Sequence, residues 1–330
     1  MITSRTRSCA LIALIMSGVL PVVRAGTISA IYVFGDSLSD AGNIFVGTGG
    51  AIPDPPYFNG QFSNGPVWVE DLAAALGLGP LTPSLAGGTD YAYGGAETGP
   101  TSFNTSDSVT DLTGPTGQLA QFQAAHPTAD PNALYTIWIG SNDLDDILAG
   151  ATPAQYAADI AIAAANADSA IAALAGEGAK NFLLLTVPDL GLTPEAIAGG
   201  LPTQAAASEL AAGFNSALVS GAESLASTDG LNLSILNTYA LLDTIVANPT
   251  SYGFTNVTAP CLTGAIDYSG GTVCATPNQY LFWDELHPTA AGHAIIADAV
   301  LPLVTPEPAS SSLITVGLLG MGIMFRRRRG

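Results

Sequence analysis

The sequence predicts a single α/β domain built on a parallel sheet, and three observations predict it. Short β-branched or aromatic runs alternate with long alanine-rich ones along the body of the chain, the pattern of strands joined by crossover helices. One of those runs, "YTIWI", is apolar almost without interruption, as suits a strand covered on both faces. Between the two unusual ends lie roughly 280 residues, enough for one large core.

Taken in chain order, the first element is not part of the fold. Arg5 and Arg7 precede an apolar run from Ala10 to Val23, and "VRA" ends at Ala25. A charged start, a core too short to span a bilayer comfortably and a small-residue cleavage site read as a secretory signal over residues 1–25. The body, residues 26–304, is expected to carry strands at Ser29–Phe34, Ala133–Ile139, Asn181–Val187 and Leu231–Leu236. Helices are expected at Pro66–Leu76, Pro153–Leu174, Thr203–Ala226 and Thr289–Leu301. The second helix opens with Thr152 as cap, Pro153 in the first turn and Gln155 three residues after the cap. Its interior is nearly all Ala and Ile, as for a helix buried against a sheet and crowded on its other sides. Two stretches, Gly99–Gln118 and Asn248–Tyr280, follow neither period and read as long functional or mobile loops.

Residues 305–330 form a separate segment, "TPEPASSSLITVGLLGMGIMFRRRRG". Pro306-Glu307-Pro308 precede an apolar stretch, Leu313–Phe325, and four arginines. The stretch is marginal for a spanning helix, and the arginines would hold its end on the cytoplasmic side. The segment resembles the PEP-CTERM sorting signals of Gram-negative bacteria that make extracellular polymer. That resemblance implies transient membrane association, processing by machinery of the exosortase type, and a final place at the cell surface, outside the cell or in its matrix. A plain C-terminal anchor is the alternative.

Charge narrows the partners of the body. Seven of the eight basic residues lie in the two ends, so Lys180 is the one cation of residues 26–304, whereas every carboxylate except Glu307 lies there. Nucleic acid and anionic lipid surfaces are poor partners for such a surface, and solubility is the simplest account of the charge. With Cys9 in the signal, Cys261 and Cys274 remain; they enclose a short loop in an exported chain, which favours a disulfide. No pair of close Cys/His spacings suggests a metal site.

The chemistry centres on "IYVFGDSLSD", where an apolar run meets Gly35-Asp36-Ser37. Those are ordinary turn residues, and a hydroxyl becomes a nucleophile only with a base, a group that orients the base, and donors for the oxyanion. Three histidines are available. His126 has only Asp130 to steer it, and His293 sits within a helix, where packing or capping suits it better. His287, in "FWDELHP", has Asp284 three residues before it in an irregular stretch. A carboxylate so placed can fold back on one ring nitrogen and leave the other free to take the serine proton. Asn142, in "GSND" after the "YTIWI" strand, can aim a side-chain N–H from the same sheet edge, where open α/β sheets place their sites. Gly94 and Gly95, in "YAYGGA", can bring a bare backbone N–H close to a substrate. "GTGGAI" breaks the GxGxxG dinucleotide pattern and follows no clear strand.

Four blocks, "FGDSLSDAGN", "YAYGGA", "GSND" and "DELHP", occur in order over residues 30–300. They resemble the blocks of the GDSL, or SGNH, family of serine esterases and lipases. "FSNGPVWVEDLA" and "VPDLGLTP" also look like family sequence. The resemblance implies a three-layer α/β/α sandwich with a flavodoxin-like parallel sheet of about five strands. It implies Ser37 as nucleophile, His287 as base and Asp284 as its orienting group, with Ser37, Gly95 and Asn142 forming the oxyanion hole. The implied reaction is hydrolysis of a carboxylic ester through an acyl-enzyme, with no cofactor. Lipid, short-chain esters and acylated extracellular polysaccharide all remain as substrates, and a catalytically silent surface protein is the non-enzyme alternative. One departure is visible: a basic residue is expected before "FSNG", and Gln61 stands there. The GxSxG nucleophile elbow is absent.

Overall fold

The computed structural model describes residues 28–100, 109–264 and 270–305. The signal and the C-terminal segment read above lie outside the described residues. Four parallel strands, β1 (Ile31–Gly35), β2 (Leu134–Trp138), β3 (Asn181–Leu185) and β4 (Asn232–Leu236), pair in chain order. Ile31 sits opposite Leu134, Leu134 opposite Asn181, and Asn181 opposite Asn232. About five strands were expected. The place of a fifth is taken by Thr89–Tyr93, which runs beside the free edge of β1: Val33 N–H donates to Thr89, and Tyr91 and Tyr93 N–H donate to Val33 and Gly35.

Period-2 side-chain alternation splits the core into two layers. Phe34, Tyr135, Ile137, Phe182 and Leu184 face one side. There they pack against α3 (Gln118–Ala125), α4 (Ser141–Gly150), α5 (Tyr156–Gly176) and α7 (Leu201–Asp229). Ile31, Val33, Leu134, Trp138, Leu183 and Leu185 face the other side, against α2 (Trp68–Ala75) and α9 (Ala290–Val304). The result is the expected three-layer α/β/α sandwich. Short helices α1 (Asn43–Gly47), α6 (Pro194–Gly199) and α8 (Thr238–Ala247) fill the carboxyl edge of the sheet. Loop Asn248–Tyr280 carries a 3-10 turn at Pro249–Tyr252 and a small ribbon, β5 (Leu262–Thr263) with β6 (Thr272–Val273). The Cys261–Cys274 disulfide is formed across that ribbon.

The four expected helices are present with shifted ends. Gln155 does reach back to Thr152, its Oε1 accepting the Thr152 N–H at 2.9 Å. That pair closes a separate turn, however, and α5 begins only at Tyr156. Thr289 caps α9 by accepting the Gly292 N–H.

Candidate active site

Ser37 stands two residues beyond β1 because the chain turns at once. Ser39 and Asp40 N–H groups both donate to the Asp36 carbonyl, and Asp36 Oδ1 accepts the Leu38 N–H at 2.9 Å. The turn needs Gly35: a Cβ there would lie 2.4 Å from the Trp138 carbonyl oxygen on β2. Gln118 clamps the same residue, accepting the Gly35 N–H at 2.9 Å and donating to its carbonyl at 2.7 Å.

His287 comes from the irregular stretch before α9. Its Nε2 lies 2.8 Å from Ser37 Oγ, and its Nδ1 lies 2.7 Å from Asp284 Oδ2. The stretch is held by the Trp283 N–H donating to the His287 carbonyl and by Leu262 N–H donating to Trp283. Asp284 is 1% exposed. Burial alone would raise its carboxyl, but the His287 ring and the N–H groups of His287 and Leu286 outweigh it and hold the carboxyl below the usual range. An ionised Asp284 makes Nδ1 the donor and leaves Nε2 to accept the Ser37 hydroxyl proton. Glu285 next door is exposed.

The other two histidines lie elsewhere. His293 is buried behind α2, its Nδ1 accepting the Trp68 N–H, and burial pushes its pKa down to about 3. His126 ends α3 among Tyr32, Tyr91 and Phe122, while Asp130 bonds Ser29 rather than the ring.

Asn142 follows β2 at the sheet edge, but not in a plain turn: "GSND" opens α4, and Asn142 sits in its first turn. Gly140 allows this, with φ +118 and a Phe214 ring 2.5 Å from where a Cβ would stand. Asn142 Nδ2 donates to the Ala96 carbonyl at 2.7 Å. Its amide has a second N–H, and Asn142 lines the same pocket as Ser37. Asp143 beside it accepts both the Thr98 N–H and hydroxyl. Gly94 and Gly95 part company: the Gly94 N–H is taken by Asp40 Oδ2 at 2.9 Å, whereas Gly95 adopts φ +74 with open space around it. Gln61, standing where the family resemblance implies a basic residue, donates an amide hydrogen bond to Glu70 Oε1 at 3.0 Å. Without a cation, burial raises the Glu70 carboxyl to about 7.

The pocket at Ser37 opens along the carboxyl ends of the strands. Its wall away from the serine is apolar, including Leu190, Leu241, Leu242, Ile245, Leu281 and Ile296. Near the serine, burial pushes Asp36 and Asp145 each to about 7.

A segment that carried only a faint sequence signal braces the site. Residues 57–64 run alongside 284–290. The Tyr57 hydroxyl donates to Asp284 Oδ2, the Phe62 ring lies 5.4 Å from that of His287, the Ser63 hydroxyl donates to the Pro288 carbonyl, and Asn64 Oδ1 accepts the Ala290 N–H. "FSNG" pointed to part of this; nothing singled out Tyr57, whose only signal is an aromatic residue inside a Pro/Gly-rich stretch.

A parallel sheet between two helical layers, with a serine, a histidine and an aspartate joined by hydrogen bonds at its carboxyl edge, is an arrangement that hydrolases use. The chain belongs to the GDSL-like lipase/acylhydrolase family, whose profile matches residues 31–300, and it is by class a carboxylic ester hydrolase. It is 30% identical over 291 residues to the thermolabile hemolysin of Vibrio parahaemolyticus, a match covering 83% of this chain and 63% of the hemolysin. It is 30% identical over 330 residues to a GDSL esterase/lipase of Arabidopsis thaliana, covering 87% of this chain and 94% of the plant protein. Among solved structures it is similar to an α/β hydrolase from the metagenome of Lake Arreo, Spain, at 16% identity and TM-score 0.44, over 84% of this chain and 96% of the other.

Proposed function

We propose that the protein is an exported serine hydrolase that cleaves acyl esters through an acyl-enzyme on Ser37. One observation carries the reading: the His287 ring bridges Ser37 Oγ at 2.8 Å and the Asp284 carboxylate at 2.7 Å. His287 takes the hydroxyl proton as Ser37 attacks the ester carbonyl, with Asp284 fixing the tautomer and stabilising the imidazolium. The oxyanion lies among the Ser37 and Gly95 N–H groups and the second N–H of Asn142. His287 then protonates the leaving alcohol and later activates water for deacylation.

The apolar wall of Leu241, Leu242, Ile245 and Leu281 suits an acyl chain. That favours lipid or short-chain esters over acylated polysaccharide as substrate. Export and a surface or extracellular place are supported by the two terminal segments, and the Cys261–Cys274 disulfide fits an oxidising compartment.

The experiment is hydrolysis of nitrophenyl esters of increasing acyl length by the purified protein and by Ser37→Ala, with fluorophosphonate labelling of both. Ser37→Ala is expected to lose turnover and labelling while melting within a few degrees of the wild type. Full turnover in that variant overturns the nucleophile. A wild type inert towards every ester supports the silent surface protein. For export, the mass of the cell-surface form is expected to lack the apolar stretch and arginines; an intact "FRRRRG" end means a plain anchor.

A further inference from the structure

We propose that Tyr57 is a positioning residue for ester hydrolysis, holding the Asp284 carboxylate ionised and aimed at His287. The inference rests on the catalytic reading given above. It begins with how Asp284 is satisfied. Oδ1 accepts the Leu286 and His287 N–H groups at 2.8 and 2.7 Å; Oδ2 accepts His287 Nδ1 at 2.7 Å and the Tyr57 hydroxyl at 2.8 Å. An ionised carboxylate offers about four such positions. Three are met by residues within three places of Asp284 in the chain. Among the described residues, Tyr57 is the partner that comes from elsewhere, 227 positions away.

That difference gives Tyr57 its role. Bonds from Leu286 and His287 move with the catalytic stretch and cannot place it against the rest of the fold. The Tyr57 bond can, because the residue is 5% exposed and its ring, edge-on to Trp283 at 6.1 Å on one side, is also held edge-on by Phe62 at 6.5 Å outside that stretch. Tyr57 also belongs to the small apolar cluster that contains Cys261 and Leu262, so the disulfide-bonded ribbon backs it. The hydroxyl shares the very oxygen that receives His287 Nδ1. Donation there spreads the carboxylate charge and sets the strength of the bond to the ring.

The charge of the body explains why a phenol serves. Lys180 is its one cation, and its Nζ bonds the Asp229 carbonyl instead. A buried carboxylate without a cation is held ionised by neutral donors, the histidine aside. Tyr57 supplies one without adding charge.

Tyr57→Phe removes one oxygen and keeps the ring, so packing against Trp283 survives. The expected result is a kcat lower by about tenfold with KM within about twofold, the pattern of a base that is less well aimed while substrate binding is kept. The lost donor leaves Asp284 more basic and the imidazolium better stabilised, so the acid limb of kcat/KM moves to higher pH. Asp36 after β1, Asp145 on α4, Glu195 on α6 and His293 on α9 also act on His287 electrostatically. All four are unchanged in the variant, so a shifted limb belongs to Tyr57. The low-field proton NMR signal of the His287–Asp284 bond reads the same change without turnover, and is expected to move in Tyr57→Phe. An unmoved signal, an unmoved acid limb, or wild-type kcat each overturns the role, as does a loss of activity that only follows a loss of melting temperature. Ser37→Ala is run beside it. If that variant keeps full activity, the catalytic reading falls and Tyr57 falls with it; if it is inactive while Tyr57→Phe matches the wild type, only the positioning role is lost.

Discussion

Asp40 Oδ2 accepts the Gly94 N–H at 2.9 Å, joining the stretch that holds Ser37 to the loop that holds Gly95. The other oxygen of the same carboxyl accepts the Gly42 N–H at 2.7 Å, so one buried side chain sets the distance between nucleophile and oxyanion donor. The contact also decides between the two glycines: the Gly94 amide is already used, and Gly95 points its own way at φ +74.

Asp40→Ala is therefore expected to lower kcat by about ten- to a hundredfold through a displaced oxyanion loop, with KM changed far less. It also leaves several buried N–H groups unmet, at a cost of about 1–3 kcal/mol in stability for each. Steady-state kinetics at a temperature where both proteins are folded is the check. Wild-type kcat in a folded Asp40→Ala protein would show that the loop holds its place unaided.

Asn142→Ala is expected to cut kcat by about a hundred- to a thousandfold, the usual loss for one oxyanion donor. The Nδ2 bond to Ala96 adds a second route to the same loss, since Asn142 braces the loop that carries Gly95. Asn142→Asp separates neither role but reverses the polarity at the oxyanion, so it should be at least as damaging. A defect confined to KM in both variants would place the oxyanion donors elsewhere.

The strands were legible because each is a short apolar-rich run bounded by polar or turn residues; β1, β2 and β3 are buried, while β4, at the sheet edge, is only half-buried. The order of the catalytic blocks was legible too, as was the Asp284–His287 pairing, which is local in sequence. The start of α4 was hidden because Gly-Ser-Asn-Asp suits a turn and a helix N-terminus alike, the short polar side chains satisfying backbone groups in both. The 152–155 turn misled for a related reason: Thr152 and Gln155 make the capping contact before a turn that α5 does not continue. Tyr57 and Asp40 were not legible in their roles. Each acts through a contact between residues far apart in the chain, and a single sequence records no such pairing.

Loss of the Cys261–Cys274 bridge should both destabilise and slow the enzyme. The closed loop is short, and the chain-entropy model gives about 3 kcal/mol for it. For a protein this size that corresponds to a melting temperature lower by roughly 6 to 12 °C. Cys261 N–H donates to the Phe282 carbonyl, one of the contacts leading to Asp284. The double variant Cys261→Ser/Cys274→Ser should accordingly lose kcat as well. Free alkylation of both thiols in native, non-reduced protein would show that the bridge is absent.

Stability should fall as pH rises from the ordinary carboxyl range through neutrality to about 8. Burial pushes Asp36, Glu70 and Asp145 to about 7 and Asp143 to about 8. Around those values the native protein holds protons that the unfolded chain, with ordinary carboxyls, has already released. Stability then decreases with pH through the window, because the folded state binds more protons. His293 acts in the opposite sense, being neutral when folded and protonated when unfolded, but only below its ordinary range near 6.5. At pH 6.5 the unfolded histidine is only about half protonated, a small offset beside four carboxyls, so melting temperatures at pH 6.5 and 8.5 report mainly on the carboxyls. The higher value is expected at pH 6.5; a protein more stable at 8.5 would mean these carboxyls ionise freely in the folded state.

The last prediction separates two neighbouring carboxylates. Asp284 is buried with Oδ2 on the His287 ring, whereas Glu285 is exposed and meets the fold through its backbone carbonyl, which accepts the Glu195 N–H. Asp284→Asn keeps the shape but offers an amide where a carboxylate fixed the tautomer. His287 can then settle with Nε2 protonated towards Ser37, unable to take the hydroxyl proton. By analogy with triad hydrolases the loss in kcat could approach about ten-thousandfold. The Tyr57 hydroxyl and the backbone N–H groups of Leu286 and His287 should keep the side chain in place, so folding should suffer less than turnover. Glu285→Gln changes a solvated charge and should leave kcat within about twofold. Wild-type kcat/KM should fall on the acid side, since protonated imidazole cannot accept the serine proton. Profiles of kcat/KM against pH for the wild type and both variants form the test. If Glu285→Gln proves the more damaging change, the orienting carboxylate is Glu285, and the 2.7 Å contact to Asp284 is structural.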